Sequence, residues 1–543
     1  MALTSDKDSV NLGETFAWGA TWPELDEFRS LATQRRVIPV VRRILADDVT
    51  PLGLYRALGQ SRPGTFLMES ADIGGTWSRY SFVGVNSRAT LTVRDGSEGA
   101  TGAAGAPVAN GEAVWLGDVP EGIPSSGRPL DVLSAALDAL HTEAFTGLPP
   151  FTGGLVGSMG WDIIREWEPT LPANAPREID APAMSLCLAS DVAAIDHVDG
   201  SVWLIANAIN FDNTDERVDE AHQDAVRRLD EMERALEAGI AAGFGDVPRV
   251  VDASIPEPEI EFRTDRATYS EMLAKGKEAI RNGEVFQIVL SQRFDLETHA
   301  SPLDVYRVLR TVNPSPYMYY FELTDAQGEQ YSVVGSSPET LVKIVEGNVT
   351  TFPIAGSRPR GATLEEDILL GKDVKEDPKE VAEHIMLVDL SRNDLVKVCE
   401  PGSVEVVEFM EIKRFSHIMH MCSTVIGKLR PGKRALDVFT ATFPAGTLSG
   451  APKNRAVALI DEYEQASRGV YGGTVGYFGF DGNMDMAIAI RTAYMKNGRA
   501  SVQAGGGIVA DSQEETEYWE TRNKAAAVIR AIQRAHRLVA RTK

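Results

Sequence analysis

Two pairs of glutamates, each spaced three residues apart, stand in separate helical patterns: Glu380 with Glu383 after Asp377-Pro378, and Glu517 with Glu520 after Glu514-Glu515. On a helix, that spacing puts both carboxylates of a pair on one flank. Two such helices offer more carboxylates than one divalent ion needs, so part of the set would act on the ion's waters or on its ligands. An all-oxygen set selects magnesium over zinc. Shortly before the second pair runs Gln503-Ala504-Gly505-Gly506-Gly507-Ile508-Val509, which reads as a buried-strand pattern leading into a glycine turn. Free amides at such a turn grip an anion, and the next helix's acids grip a hard cation beside it. An isolated acidic stripe also reads as solvated surface, with Glu520 and Lys524 in an i,i+4 ion pair.

The elements that must carry these groups are marked at their starts. Asp377 reads as an N-cap, Pro378 as the first helical residue and Glu380 as the capping-box partner, with Val381, Ile385 and Val388 on the core side. Ser512 and Glu515 read as a second capping box, starting a helix near Gln513 with Ala525, Ile529 and Ile532 inward. The motif FPAGTLSGAPK at 443–453 is another glycine turn, with Pro452 at a helix start; the P-loop spacing fails. Alternating patterns at 284–293 and 483–494 predict strands, 267–281 predicts a helix, and 216–241 a helix with one solvated face.

With 543 residues and 43% hydrophobic content, the chain buries a sizeable core. A formal charge of −24 argues against nucleic acid and anionic membranes as partners. Cys187, Cys399 and Cys422 lack CxxC spacing, which disfavours a zinc site and a disulfide framework. No segment approaches the roughly 18 apolar residues of a membrane span, and the polar start lacks a signal-peptide pattern. A cytoplasmic location is expected. The organisation expected is a polar tail at 1–20, an N-terminal region at 21–242 with a surface insertion near 96–128, a linker at 243–262 and a catalytic region at 263–543. Segments 151–162 and 470–481 share six of twelve positions, which hints at two related β-sheets packed together in an α+β fold with antiparallel strands.

The ordered motifs FLMES, NPSPYM, GSSPE, PIAGSRPRG, DPKEVAEH, DLSRND, SHIMH, FPAGTLSGAPK, YGGTVGYFGF, AIRTAY, QAGGGIVADS and ETRNKA resemble the chorismate-utilising enzymes, most closely the anthranilate synthase component I group. The resemblance implies that family's α/β sandwich of two packed antiparallel sheets with surrounding helices. It implies Mg2+ held by Glu383 and Glu520, with Glu380 and Glu517 around its waters. The ring carboxylate of chorismate would lie on the ion and on the amides of Gly505, Gly506 and Gly507. Arg491 and Tyr471 would hold the enolpyruvyl carboxylate, an arginine fork matching it bidentately; Gly356 and Thr447 would line the ring pocket. Glu339 would be the general acid, which near neutral pH requires a raised pKa. His420 matches the histidine of the pyruvate elimination; His417 is given no role.

Gln287 stands where isochorismate and salicylate synthases carry a water-activating lysine, and Ala355 where aminodeoxychorismate synthases carry a nucleophilic one, so the nucleophile implied is ammonia. The activity implied is a lyase reaction giving anthranilate and pyruvate, the committed step of tryptophan biosynthesis. An aminodeoxyisochorismate synthase, or a catalytically silent tryptophan-sensing subunit, are the alternatives. Glu69, Ser70, Asn313, Pro314, Ser315, Pro316, Tyr317 and Met318, walled by Val475 and Tyr477, would form a tryptophan effector site, with Met68 replacing a usual leucine. Serine and glutamate would receive the effector's ammonium. Tyr471 and Tyr477, read on one strand, would link that site to the active site. Cys187 sits in a strand-like run and no glutaminase elbow is present, so a separate glutamine amidotransferase subunit, component II, is implied in a hetero-oligomer. The purified chain should then turn over chorismate with ammonium salts but not with glutamine; glutamine-driven product from the chain alone contradicts this.

Overall fold

A computed structural model describes residues 16–71, 79–94, 111–243, 249–414 and 418–541; His417 lies outside them. The described strands form one continuous 23-stranded hydrogen-bonded network and a separate two-stranded ribbon. Buried side chains sort into three cores. The middle core comes from strands and the loops between them, including Val41, Phe66, Val156, Phe321 and Tyr477. One outer core is closed by helices Arg266–Arg281, Pro378–Val396 and Lys453–Tyr463. The other is closed by Val218–Ala241, Pro302–Val312 and Glu514–His536. Two sheets face each other with helices outside, the α+β sandwich expected.

The repeated glycine motif explains how the halves join. Strands Gly154–Met159 and Thr474–Gly479 pair antiparallel, with Gly157 opposite Gly476. Those two glycines occupy equivalent positions in the two copies, so the related segments meet edge to edge about a local two-fold axis. Neither tolerates a side chain. A Cβ at Gly157 would stand 2.1 Å from the Ser185 carbonyl oxygen, and one at Gly476 1.9 Å from that of Asp485.

Three peripheral segments carry structure of their own. Of the 96–128 insertion, the described part contains strand Glu112–Gly117, paired with Tyr80–Arg94 and burying Ala113 and Val114. Within the 1–20 tail, Phe16 is buried with its ring edge-on to Trp22 and Trp203. In the 243–262 linker, Arg249–Val251 is a strand paired with Leu538–Ala540.

The glycines Gly505–Gly507 are not in a turn. They lie inside strand Arg499–Ile508, which pairs with Gln287–Glu297 over ten residues. Such a run weakens a strand and persists where other groups must approach its backbone closely. The predicted strand at 483–494 is interrupted: Met484–Ile488 and Thr492–Lys496 flank Arg491, which adopts φ +53°. Gly476→Ala should cost about 1–3 kcal/mol from backbone strain alone, before any steric shift. Thermal unfolding reads this; an unchanged melting temperature contradicts the tight pairing.

Candidate active site

The floor of the site is the open edge of the glycine strand. Its second edge is paired with Thr492–Lys496 at residues 499–502, and among the described residues 503–508 have no strand neighbour there. The ladder shows which backbone groups face out. Opposite Gly505, Ser291 N–H donates to Glu464 at 2.9 Å, and opposite Gly507, the Val289 carbonyl accepts from Arg468 at 2.8 Å. Both are therefore non-hydrogen-bonded pairs, so Gly505 and Gly507 turn their amides to the open edge. Lys524 Nζ donating to the Gly505 carbonyl at 3.0 Å agrees. Gly506, between them, keeps its amide in the ladder, and of the three expected anion-binding amides it is the one withdrawn.

The missing Cβ atoms admit side chains from both faces. At Gly506 a Cβ would stand 3.2 Å from Glu517 Oε2 and 3.9 Å from Glu520 Oε1. At Gly507 it would stand 2.5 Å from Gln287 Nε2, which donates to Glu383 at 3.1 Å. At Gly356, φ +75°, it would stand 3.1 Å from Glu380 Oε2. The two acidic helices thus meet at the same strand. Burial and the neighbouring Glu383 push the Glu380 carboxyl up against Arg358; burial and Glu520 push Glu517 up against a Ser512 hydrogen bond and the Lys379 and Lys524 charges.

This arrangement fits a magnesium ion that keeps most of its waters and takes one or two carboxylates from the protein. Among the described residues no three His, Cys, Asp or Glu side chains form a ready-made ligand set, and such an ion does not need one. Gln287 Oε1, buried beside Glu383, has no hydrogen-bond partner. The i,i+4 ion pair of Glu520 with Lys524 is present at 2.7 Å. It does not remove Glu520 from the floor, because Lys524 is itself held there.

The cap assignments hold for one helix and fail for the other. Asp377 accepts from the amides of Lys379 and Glu380, but Glu380 pairs with Arg358 at 3.4 Å instead of closing the box. Glu514–His536 starts after Gln513, without a side-chain cap. Ser512 accepts from Val509 N–H, and Glu515 from Trp519. Ile385 is exposed, and the inward position is taken by His384, hydrogen-bonded to Ser423 at 2.6 Å. In 443–453, Pro452 is the N-cap, and Lys453 is spent on Asp394 and the Thr442 carbonyl.

The proton-transfer candidates stand within reach of the Lys524 charge. Glu339 lies in the turn between strands Gln330–Ser337 and Thr340–Val345, its carbonyl accepting from Ile488 N–H at 3.0 Å. Its Oε1 accepts from Thr447 at 2.7 Å. Burial pushes this carboxyl up to about 7, opposed by Thr447 and the Lys524 charge. Burial pulls His420 down to about 4, opposed by a hydrogen bond to the Gly356 backbone and reinforced by Arg491 and Lys524. A protonatable acid and a neutral imidazole therefore coexist near neutral pH. Arg491 donates to the Lys524 carbonyl at 2.6 Å, and a Cβ at Gly505 would stand 2.7 Å from the Tyr471 hydroxyl.

A second cavity lies between the sheets. Met68, Glu69, Ser70, Pro316, Tyr317, Met318, Val475 and Tyr477 line it with Asp485. Pairing of Met318 with Glu69 brings the two motifs together. Asn313, Pro314 and Ser315 are not among the lining residues; Asn313 and Ser315 brace the turn through Ser336 and Ala71. Glu69 already accepts from Tyr306 and from Arg310 at 2.9 Å. Asp485 takes the Tyr317 hydroxyl at 3.0 Å, with Lys343 at 3.8 Å; burial pushes its carboxyl up to about 6. Tyr471 and Tyr477 do not share a strand: Tyr471 sits in the turn before Thr474–Gly479, and the two rings pack in different cores.

Sequence reasoning missed Lys524 as a site group and Asp485 as a cavity group. The signal for Lys524 was its spacing from Glu520, and for Asp485 an acid alternating with methionines on an apolar strand. Cys187 is buried, its thiol facing the Val156 carbonyl. Among the described residues, no helix is long and apolar enough to cross a membrane.

The profile of the chorismate binding enzyme family matches residues 87–530. The chain is 54% identical over 524 residues to anthranilate synthase component 1 of Arthrobacter globiformis, covering 95% of this chain and 94% of the relative. A crystal structure of anthranilate synthase component I from Streptococcus pneumoniae superposes with TM-score 0.69 at 35% identity, covering 85% of this chain and 94% of that one. The menaquinone-specific isochorismate synthase of Escherichia coli shares the fold, with TM-score 0.63 at 16% identity over 94% of this chain and 99% of that one.

Glu339 should titrate near 7 in a 13C NMR titration referenced to Glu339→Gln. Because the Thr447 hydroxyl favours the carboxylate, Thr447→Val should move that titration to higher pH. A downward or absent shift contradicts the assigned contact.

Proposed function

The chain belongs to the chorismate binding enzyme family, and from that premise we propose that it works as an anthranilate synthase component I, turning chorismate and ammonia into anthranilate and pyruvate. The observation that carries this reading is Gln287. Its amide nitrogen is committed to Glu383, and its carbonyl is buried without a partner. A neutral amide cannot take a proton from water, but it accepts an N–H from ammonia, which is already a nucleophile.

Glu383 and Glu520, with Glu380 and Glu517 about its waters, would hold a magnesium ion, which when bound supplies positive charge offsetting the ring carboxylate. The outward amides of Gly505 and Gly507, with Lys524, add donors at the same place. Arg491 and Tyr471 hold the enolpyruvyl carboxylate, in a site where burial strengthens each contact. Glu339, protonated, gives its proton to the allylic hydroxyl as the C–O bond breaks and water leaves. Nitrogen bonds to the ring carbon beside the carboxylate-bearing carbon, and ammonia's surplus proton is released. His420, neutral, then receives the ring proton while the enolpyruvyl C–O bond breaks; with one proton taken up, the side chain departs as pyruvate and the ring becomes aromatic.

The inter-sheet cavity supports tryptophan as a feedback effector, its indole against Met68, Met318 and Pro316 and its ammonium toward Asp485. Coupling needs few steps. The Tyr317 hydroxyl bonds both Asp485 and Thr340, the residue after Glu339, each at 3.0 Å. A separate amidotransferase subunit would supply ammonia from glutamine.

Pure protein given chorismate, magnesium and ammonium should release anthranilate; isochorismate or salicylate as product contradicts the reading of Gln287. Glu339→Gln should lower kcat by about 10²–10⁴-fold. Thr340→Val, outside the effector cavity, should keep tryptophan binding by calorimetry while weakening inhibition. Equal inhibition in this variant contradicts the coupling through Tyr317.

A further inference from the structure

Arg468 is among the largest fully buried side chains of the described residues, 1% exposed, and of the groups that would meet substrate charge it approaches Tyr471 directly and the others through their neighbours. Its guanidinium nonetheless joins the separate segments that carry them. Nη1 donates to the Leu448 carbonyl at 2.7 Å, in the four-residue helix that holds Thr447. Nη2 donates to the Val289 carbonyl at 2.8 Å, two residues from Gln287 and opposite Gly507. Nε and Nη2 pair with Glu464 at 2.9 and 2.6 Å, and Glu464 Oε1 in turn accepts from the amide and hydroxyl of Ser291, opposite Gly505. The guanidinium carbon lies 4.4 Å from the Trp161 ring and 5.4 Å from that of Tyr471, whose amide bonds the Arg468 carbonyl.

A buried ion pair is weak as a source of stability, because desolvation offsets its attraction. What this one does well is geometric. A planar fork with donors in fixed directions sets the relative position of several carbonyls at once, which an apolar side chain or lysine cannot do. Val289 and Ser291 expose these backbone groups because their pairs with Gly507 and Gly505 are the non-hydrogen-bonded ones. The groups Arg468 and Glu464 satisfy are thus the counterpart, on one edge of the ladder, of the two glycine amides on the other.

We propose that Arg468, braced by Glu464, is a positioning residue that fixes Tyr471 over Gly505, the Thr447 turn and the strand bearing Gln287 as one unit. This rests on the chorismate reading for the identity of the ligand, not for the clamp itself. Arg468→Lys keeps the charge and loses the fork; Glu464→Gln keeps the volume and loses the ion pair. In both, the KM for chorismate should rise, at least tenfold in Arg468→Lys, with the KM for ammonium within twofold of the parent. A merely structural role would lower kcat with the folded fraction and leave KM unchanged, and that result overturns the proposal. Combining Arg468→Lys with Tyr471→Phe should raise KM by less than the product of the single effects, since both act on one ring; a fully multiplicative result overturns it. The Glu339 NMR titration should move upward in Arg468→Lys as the Thr447 contact loosens; an unmoved titration in a folded variant overturns the Thr447 part. That last measurement stands even if the parent protein makes no anthranilate, the outcome that would sink the functional reading instead. Should Arg468→Lys fail to fold, Glu464→Gln carries the same KM and titration tests.

Discussion

The absence of three consecutive side chains is the constraint on which the site depends. Glycines at 505–507 weaken their own strand, yet side chains from separate parts of the chain approach through the space they leave. Tyr471 and Gln287 come in on one face and Glu517 with Glu520 on the other, and Lys524 caps the open edge. Two of the amides point out along that edge because Glu464 and Arg468 satisfy the strand behind them. A side chain at 505 or 507 would displace the Tyr471 hydroxyl or the Gln287 amide, and one at 506 would crowd Glu517, so floor and walls are a single design.

Burial then sorts the proton chemistry. Glu339 and His420 are both removed from water, which raises the acid to about 7 and lowers the imidazole to about 4. The same cause moves the two groups in opposite directions, because it disfavours the charged form of each. Near neutrality the result is an acid with a proton to give and a base with room to take one. The Lys524 charge opposes this rise at Glu339 without cancelling it, and the side chain bonded to the Glu339 carboxyl is the Thr447 hydroxyl.

The paired copies of the glycine motif tie this site to the inter-sheet cavity. Strand Thr474–Gly479 supplies cavity wall through Val475 and Tyr477 and pairs with Met484–Ile488. That second strand carries Asp485 at the cavity and Ile488 at the Glu339 carbonyl. Both contacts lie on one five-residue strand. The short hydroxyl bridge from Tyr317 to Thr340 runs alongside it.

Much of this was legible in the residues alone. The two glutamate pairs, the Asp377-Pro378 helix start, the glycine run and the ordered motifs identify the helices, the family resemblance and most of the residues that converge, because periodicity and capping are local properties of the chain. Tertiary structure decided the rest. It placed the glycines in a strand, turned Gly506 inward and its neighbours outward, and interrupted a predicted strand at Arg491. It paired Glu69 with Arg310, brought Lys524 and Asp485 to the two sites, and placed Arg468 where no local pattern assigns it. Each of these outcomes depends on which groups already have a partner and which face is buried, and those are settled by contacts between separate segments of the chain.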